Sequence, residues 1–364
     1  MVLQVGLVGL PNVGKSTLFN AVSRAGATAA NFPFTTIEPN VGVVPVPDER
    51  LERLQRLAGS ARAVPTTIEF VDIAGLVQGA SRGEGLGNRF LAHIREVDAV
   101  CHVVRCFEDD DVVRVGGRVD PVGDAEVVET ELALKDLETV EKRQERTARS
   151  MRAGERDAPA HLDLLERLAE HLGQGRPART FSVDPRHAGL VGELFLLTSK
   201  PVLYAANVAE GDLPHGGSSA DSLRVLADKQ GAEVVVVSAR VEEELLALPE
   251  AEQSEYLASL GLRRSGLERL IHAAYRLLGL ITFFTAGEKE ARAWTVPEAT
   301  RAQAAAGEVH TDMERGFIRA EVISFEDYAR LGSEAAARDA GRLRVEGRDY
   351  RVADGDVLRF RFNV

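Results

Sequence analysis

The chain has 364 residues, 45% of them hydrophobic and 27% charged, which is enough for two or three domains with ample cores and typical of an ordinary globular protein. Its formal net charge of −12 excludes a dedicated nonspecific DNA binder, whose footprint is basic, while leaving room for RNA contact through a local patch. No apolar run reaches the ~18 residues of a membrane span, and the chain enters a strand with no signal peptide ahead of it, so a cytoplasmic location with no membrane partner is expected.

The first element is "LQVGLVGL", an uncharged Val/Leu/Gly run suited to a buried parallel strand. It leads into "GLPNVGKST", Gly9 to Thr17, which fits G-x-x-x-x-G-K-[ST] and opens onto the helical pattern of "STLFNAVSRA". Gly9 and Gly14 let the backbone turn tightly so that its amides can meet phosphate oxygens. Lys15 reaches the outer phosphates and Ser16 offers a hydroxyl to Mg²⁺, while the helix N-terminus adds partial positive charge.

The next loop, "NFPFTTIEPNVG", holds Thr35 and Thr36, either of which could close on Mg²⁺ and a γ-phosphate. A second buried strand, "TIEFVDIAG", ends in Asp72 and Gly75. In this context the carboxylate is a Mg²⁺ partner and the Gly75 amide a γ-phosphate contact. Leu76 follows, where many GTPases carry the glutamine that orients the attacking water. Leucine cannot do that, so another group or an ion must help, or hydrolysis is slow. Asn12 is a candidate to hold a monovalent cation such as K⁺ beside the β- and γ-phosphates; it could equally only shape the loop.

The third strand is "VDAVCHVVRCF"; its two cysteines, Cys101 and Cys106, read as reduced core thiols, and no metal-ligand spacing of Cys and His occurs. An insertion over residues 126–199 shows two helical patterns separated by "GERDAP", an antiparallel arm. It carries Arg143, Arg146, Arg149, Arg152 and Arg156 at spacings of three and four, expected along one flank, either as a solvated face or as a stripe for a polyanion.

"KPVLYAANV" is a fourth strand and "AEVVVVSAR", with Ser238, a fifth. Strands alternating with helices predict an α/β fold, a doubly wound parallel sheet with its site at the strands' carboxyl ends. After the fourth strand stand Asn207, Val208, Ala209 and Glu210, where guanine-reading proteins have Asn-Lys-x-Asp. Asn207 can pair with the N6/N7 edge of adenine, giving one bond and taking one. Glu210 gains nothing from adenine N1, since both are acceptors. The loop has lost its guanine-reading geometry without forbidding guanine. From about Leu280 the texture changes to half-buried alternation with Glu-Gly and Asp-Gly turns, a small mixed β domain.

Three stretches together resemble one family. "DIAGLVQGASRGEGLGNRFLAHIREVDAV" is similar to the Obg group of translation-associated P-loop NTPases. "NFPFTTIEPNVGVVPVPDERL" and "FFTAGEKEARAWTV…AGEVHTDMERGFIRAEVI…FNV" resemble its YchF branch, the Obg-like ATPases. The similarity runs from the first strand to the last residue. It implies an OBG-type G domain over 1–125 and 200–279, the helical, coiled-coil-like arm over 126–199, and a C-terminal TGS domain of β-grasp type over 280–364. It implies Mg²⁺-dependent ATP hydrolysis, weak without a partner, and association with the ribosome, its large subunit, or structured RNA, with no DNA and as a monomer. Through the resemblance Thr36 is the Mg²⁺ threonine, residues 12–17 are the ATP-binding run, Val208 is a backbone contact to the base, and Leu76 matches the family's hydrophobic replacement of glutamine. Bacterial members commonly have Cys before the switch threonine; here it is Thr35, so thiol regulation there is not expected. Two functions remain open, an ATP-hydrolysing switch and a nucleotide-gated RNA- or ribosome-binding module that hydrolysis only resets; nothing resembles the lid of a small-molecule kinase.

Overall fold

The computed structural model describes residues 3–28, 40–73, 86–108 and 119–363, which form two compact units. The first unit takes residues 1–44 and 69–274, the second residues 45–68 and 275–364.

The first unit is built on a six-stranded sheet in the order β2-β4-β1-β5-β6-β7. Its strands are β1 (Gln4–Val8), β2 (Val41–Pro45), β4 (Thr67–Asp72), β5 (Ala99–Arg105), β6 (Val202–Asn207) and β7 (Glu233–Val237). Pairings β1–β4, β1–β5, β5–β6 and β6–β7 are all parallel. All seven residues of β5 and all six of β6 are buried, which is why those runs carry no alternation: helices cover both faces. Five strands fall where the sequence puts them. The sixth, β2, was not expected; it is a short edge strand ending at Pro45, and edge positions tolerate a residue that cannot donate to the ladder. Cys101 and Cys106 are buried thiols on and just after β5, as expected.

The insertion is less separate than its sequence suggests. Its first helix runs Pro121–Arg152, from before the expected boundary at 126, with Asp120 capping its start by accepting Gly123 N–H at 3.0 Å. Ala125, Val128 and Leu132 join the core that also holds Val100, Val104 and Tyr204. Further along, Ala133 and Val140 pack with Leu165, Leu168 and Leu172 of the second arm helix, Ala158–Gly173. One continuous helix therefore serves two cores. Two buried polar nodes pin it. Glu129 accepts Tyr204 OH at 2.9 Å and Gln230 Nε2 at 2.7 Å, and pairs with Arg179. Asp136 accepts Leu197 N–H at 2.7 Å, Thr198 N–H at 2.8 Å and Thr198 Oγ1 at 2.7 Å. Burial raises the Asp136 pKa, and these three donors oppose that rise.

The arm arginines do not share a flank. Arg143, Arg146, Arg149 and Arg152 are spaced by three, and each such step rotates about 60° around a helix of ~3.6 residues per turn. Arg143 is half-buried and pairs with Glu193 at 3.2 Å, whereas Arg146 and Arg152 are exposed; Arg149 leans toward Glu145 at 3.9 Å. Arg156 lies beyond the helix end, in the turn before the second helix.

The second unit has a mixed sheet in the order β11-β10-β12-β8-β9-β3, from β3 (Ala63–Val64), β8 (Leu280–Ala286), β9 (Ala291–Pro297), β10 (Phe317–Ser324), β11 (Arg344–Glu346) and β12 (Asp356–Phe362). β8–β9, β10–β11 and β10–β12 are antiparallel; β12–β8 and β3–β9 are parallel. Residues 45–68 were expected in the first domain by their place in the sequence, and the structure corrects this. The helix Glu49–Ala58 buries Leu51 and Leu54 among Phe284, Ile323 and Val357. Arg50 fastens it, meeting Asp48 at 2.8 Å and Asp354 at 2.6 Å over the face of Phe284. Of the seven arginines from Arg338 to Arg361, four are paired within this unit: Arg338 and Arg359 with Glu334, Arg344 with Glu346, and Arg361 with Glu321. Asp349 pairs with Arg301 instead of with any of them.

Candidate nucleotide-binding site

The site is built where β1 stops. Val5, Leu7 and Val8 are fully buried, so the strand is fixed up to Gly9. The chain then turns through Asn12 at φ 61 and Gly14 at φ 87, both left-handed, before the helix Lys15–Thr28 begins. Asparagine is among the few residues that tolerate that conformation, and glycine is the default. Both glycines are sterically required: a Cβ on Gly9 would lie 2.6 Å from Val103 O, and one on Gly14 would collide with the Asn207 amide. Leu18 N–H donates to Gly14 O at 3.0 Å, so the amides just before it are those a helix start leaves for an anion.

Lys15 is buried and ion-paired with Asp72, the last residue of β4, which lies beside Leu7 of β1 in the ladder. Asp72 N–H donates to Asn40 O at 2.8 Å, fixing the strand end. The pair shows that the Asp72 carboxylate faces the phosphate loop, although 57 residues separate the two in sequence. Ser16 is exposed at the helix start and Thr17 half-buried. Ser16 and Asp72 offer the hard oxygen ligands Mg²⁺ prefers, and the described residues hold no cluster of three or more His, Cys, Asp or Glu that would make a metal site without phosphate.

On the base side, Asn207 is tied to the protein's own backbone. Its side chain is buried; Nδ2 donates to Val13 O at 2.9 Å and Oδ1 accepts Ala239 N–H at 2.9 Å. These bonds use one of the amide's two N–H groups and one lone pair of its oxygen. Asn207 braces the phosphate loop against the turn after β7. Ala239 was missed by sequence reasoning, because a backbone amide leaves no signature of its own. Val208 is buried, and its N–H donates to Val237 O at 2.9 Å, which leaves the carbonyl as its base-facing candidate. Ser238 is buried at the start of the helix Ala239–Ala247, with its carbonyl accepting Glu242 N–H at 3.0 Å. Glu210 is exposed at the start of a short turn. Thus Asn12, Val13, Gly14, Lys15, Ser16 and Thr17 stand on one loop and helix start, with Asp72 joined through Lys15 and Asn207 through Val13. Thr35, Thr36, Gly75 and Leu76 lie outside the described residues.

A family model described as "50S ribosome-binding GTPase" matches residues 4–146, and one for the C-terminal domain of YchF GTPases, described as a protein of unknown function, matches residues 280–363. The chain is 51% identical to the "Ribosome-binding ATPase YchF" of Bacillus subtilis (strain 168) and 50% identical to that of Escherichia coli O157:H7, covering 100% of both chains in each case. The solved YchF GTPase of Schizosaccharomyces pombe is 36% identical, with a TM-score of 0.87 over 99% of this chain and 97% of that one.

Proposed function

This chain belongs to the YchF family, and from that premise we propose that it is a Mg²⁺-dependent ATP-hydrolysing switch that associates with the ribosome. The observation that carries the proposal is the phosphate loop, with Asn12 and Gly14 left-handed and Lys15 held against Asp72. Backbone amides and Lys15 bind and orient the phosphates, so that charge developing on the transferred group meets fixed donors. Ser16, Asp72 and Thr36 would hold Mg²⁺, which supplies charge neutralisation between the phosphates. Gly75 contributes its amide to the γ-phosphate. Leu76 cannot order water, so turnover is slow until a partner acts or K⁺ sits at Asn12.

Preference for ATP over GTP rests on the base loop. Val208 stands where guanine readers carry lysine, and its carbonyl is an acceptor suited to the adenine N6 amino group. The names of the relatives are divided between ATPase and GTPase, so the test is direct. Equilibrium titration with both nucleotides is expected to give tighter binding of ATP. Equal or tighter binding of GTP removes the base argument and leaves the phosphate site standing.

The second reading, a ribosome- or RNA-binding module gated by nucleotide, is favoured by one feature: Arg146, Arg152 and Arg156 are exposed at the far end of the arm. Sedimentation with ribosomes, with no nucleotide, ADP or a non-hydrolysable ATP analogue, separates the two. Affinity that follows the bound nucleotide while turnover stays slow favours the module.

A further inference from the structure

The helix Leu86–Glu96 follows the Asp72-to-Gly75 element in sequence, and one side chain holds its far end. Lys200 Nζ donates to Arg95 O at 3.1 Å and also to Val97 O. A helix leaves its last carbonyls without intrahelical partners, and a cation there meets the negative end of the dipole. Just before Lys200 in the chain are Leu197 and Thr198, whose amides Asp136 holds. The Asp136 carboxylate is 1% exposed. It stands midway along Pro121–Arg152, whose later turns form the arm. Thr198 Oγ1 donates to Asp136 at 2.7 Å and accepts Ala178 N–H at 2.9 Å, so the segment is tied on two sides. The charge of Arg95, on the last turn of Leu86–Glu96, also favours the ionised form of Asp136.

We propose that Asp136, Thr198 and Lys200 form a latch that joins the helix downstream of the γ-phosphate element to the insertion arm, so that hydrolysis and the state of the arm are set together. These are positioning residues; none touches nucleotide. A buried carboxylate with three donors has few intermediate arrangements, because a partly broken set leaves charge unpaired in a dry site. Displacement of the helix therefore either carries the 197–200 segment and the arm with it or breaks Lys200 from its carbonyls. The proposal rests on the reading of this chain as a hydrolytic switch, and its test has a readout that does not need hydrolysis.

The full-length chain and Lys200→Met, Lys200→Arg, Asp136→Asn and the Lys200→Met/Asp136→Asn double variant are compared in three measurements. These are kcat for ATP, nucleotide affinity by equilibrium titration, and amide hydrogen exchange of residues 86–96 and 130–152 with ADP and with a non-hydrolysable ATP analogue. Lys200→Met is expected to change kcat by about 2- to 30-fold at unchanged nucleotide affinity. It should also abolish the nucleotide-dependent difference in arm exchange. Lys200→Arg retains both, and the double variant adds little to either single one, since members of one unit are non-additive. The latch is refuted if Lys200→Met lowers only the melting temperature, or if arm exchange in the wild-type chain is the same with both nucleotides. Absence of ATP hydrolysis would overturn the functional reading, and the exchange comparison would still decide the latch. Should Asp136→Asn fail to fold, Lys200→Met alone carries the test.

Discussion

His102 shows what one buried side chain contributes. It sits on β5, 3% exposed, its ring 5.5 Å from that of Tyr204. Burial pushes its pKa down to about 4, with Glu129 acting in the opposite direction. A histidine whose folded pKa lies below its unfolded value near ~6.5 favours folding above that value and loses the contribution as pH falls toward the folded one. The window is therefore pH 6.5 down to about 4, and the full span is worth up to about 3 kcal/mol. Denaturant unfolding of His102→Gln across that window should show a flatter loss of stability than the parent; parallel curves would mean the imidazole does not titrate against folding.

Asn207 acts between elements, where β6, the phosphate loop and the helix Ala239–Ala247 meet. Asn207→Ala removes a buried donor and acceptor together and strands Val13 O and Ala239 N–H, each costing ~1–3 kcal/mol. The expected result is a lower denaturant midpoint together with weaker binding of ATP and GTP alike. Weakening of ATP alone would assign Asn207 a base-pairing role as well. The same elements show what was legible in the sequence. β1, the Gly9-to-Thr17 loop and Asp72 were readable, because an uncharged strand followed by Gly-rich turn and helix start admits few alternatives. The brace was not, because Asn207 bonds to backbone atoms distant in sequence, and residue types alone do not say which way an amide points. The arginine flank failed on geometry: a spacing of three drifts steadily around a helix. β3 failed because two residues carry no periodicity, and β2 because a short run closed by Pro45 and carried on from a Pro/Gly-containing loop reads as loop.

At the scale of the molecule, a chain of net charge −12 repels polyanions at long range, so any contact with RNA must be local. Four of the seven arginines from Arg338 to Arg361 have carboxylate partners in the second unit, which supports a solvated, salt-bridged face there. The far end of the arm is the better candidate. Reversing the charge of Arg146, Arg149 and Arg152 is expected to weaken ribosome binding and flatten its dependence on salt, since each lost phosphate contact releases one fewer counterion. ATP affinity should not move. Binding that is unchanged, with the same salt slope, assigns the partner surface elsewhere.

The detour of residues 45–68 into the second unit has a consequence for how the protein is made. The helix Glu49–Ala58 leaves the ribosomal exit tunnel well before Phe284, Ile323 and Val357, among which it buries Leu51 and Leu54, are synthesised. Throughout the intervening synthesis Leu51 and Leu54 lack Phe284, Ile323 and Val357 as partners. A fragment beginning at residue 280 would in turn lack its cover over Phe284. The C-terminal unit is not a module appended to a finished domain; it can close only when residues 45–68 and 275–364 have both been made.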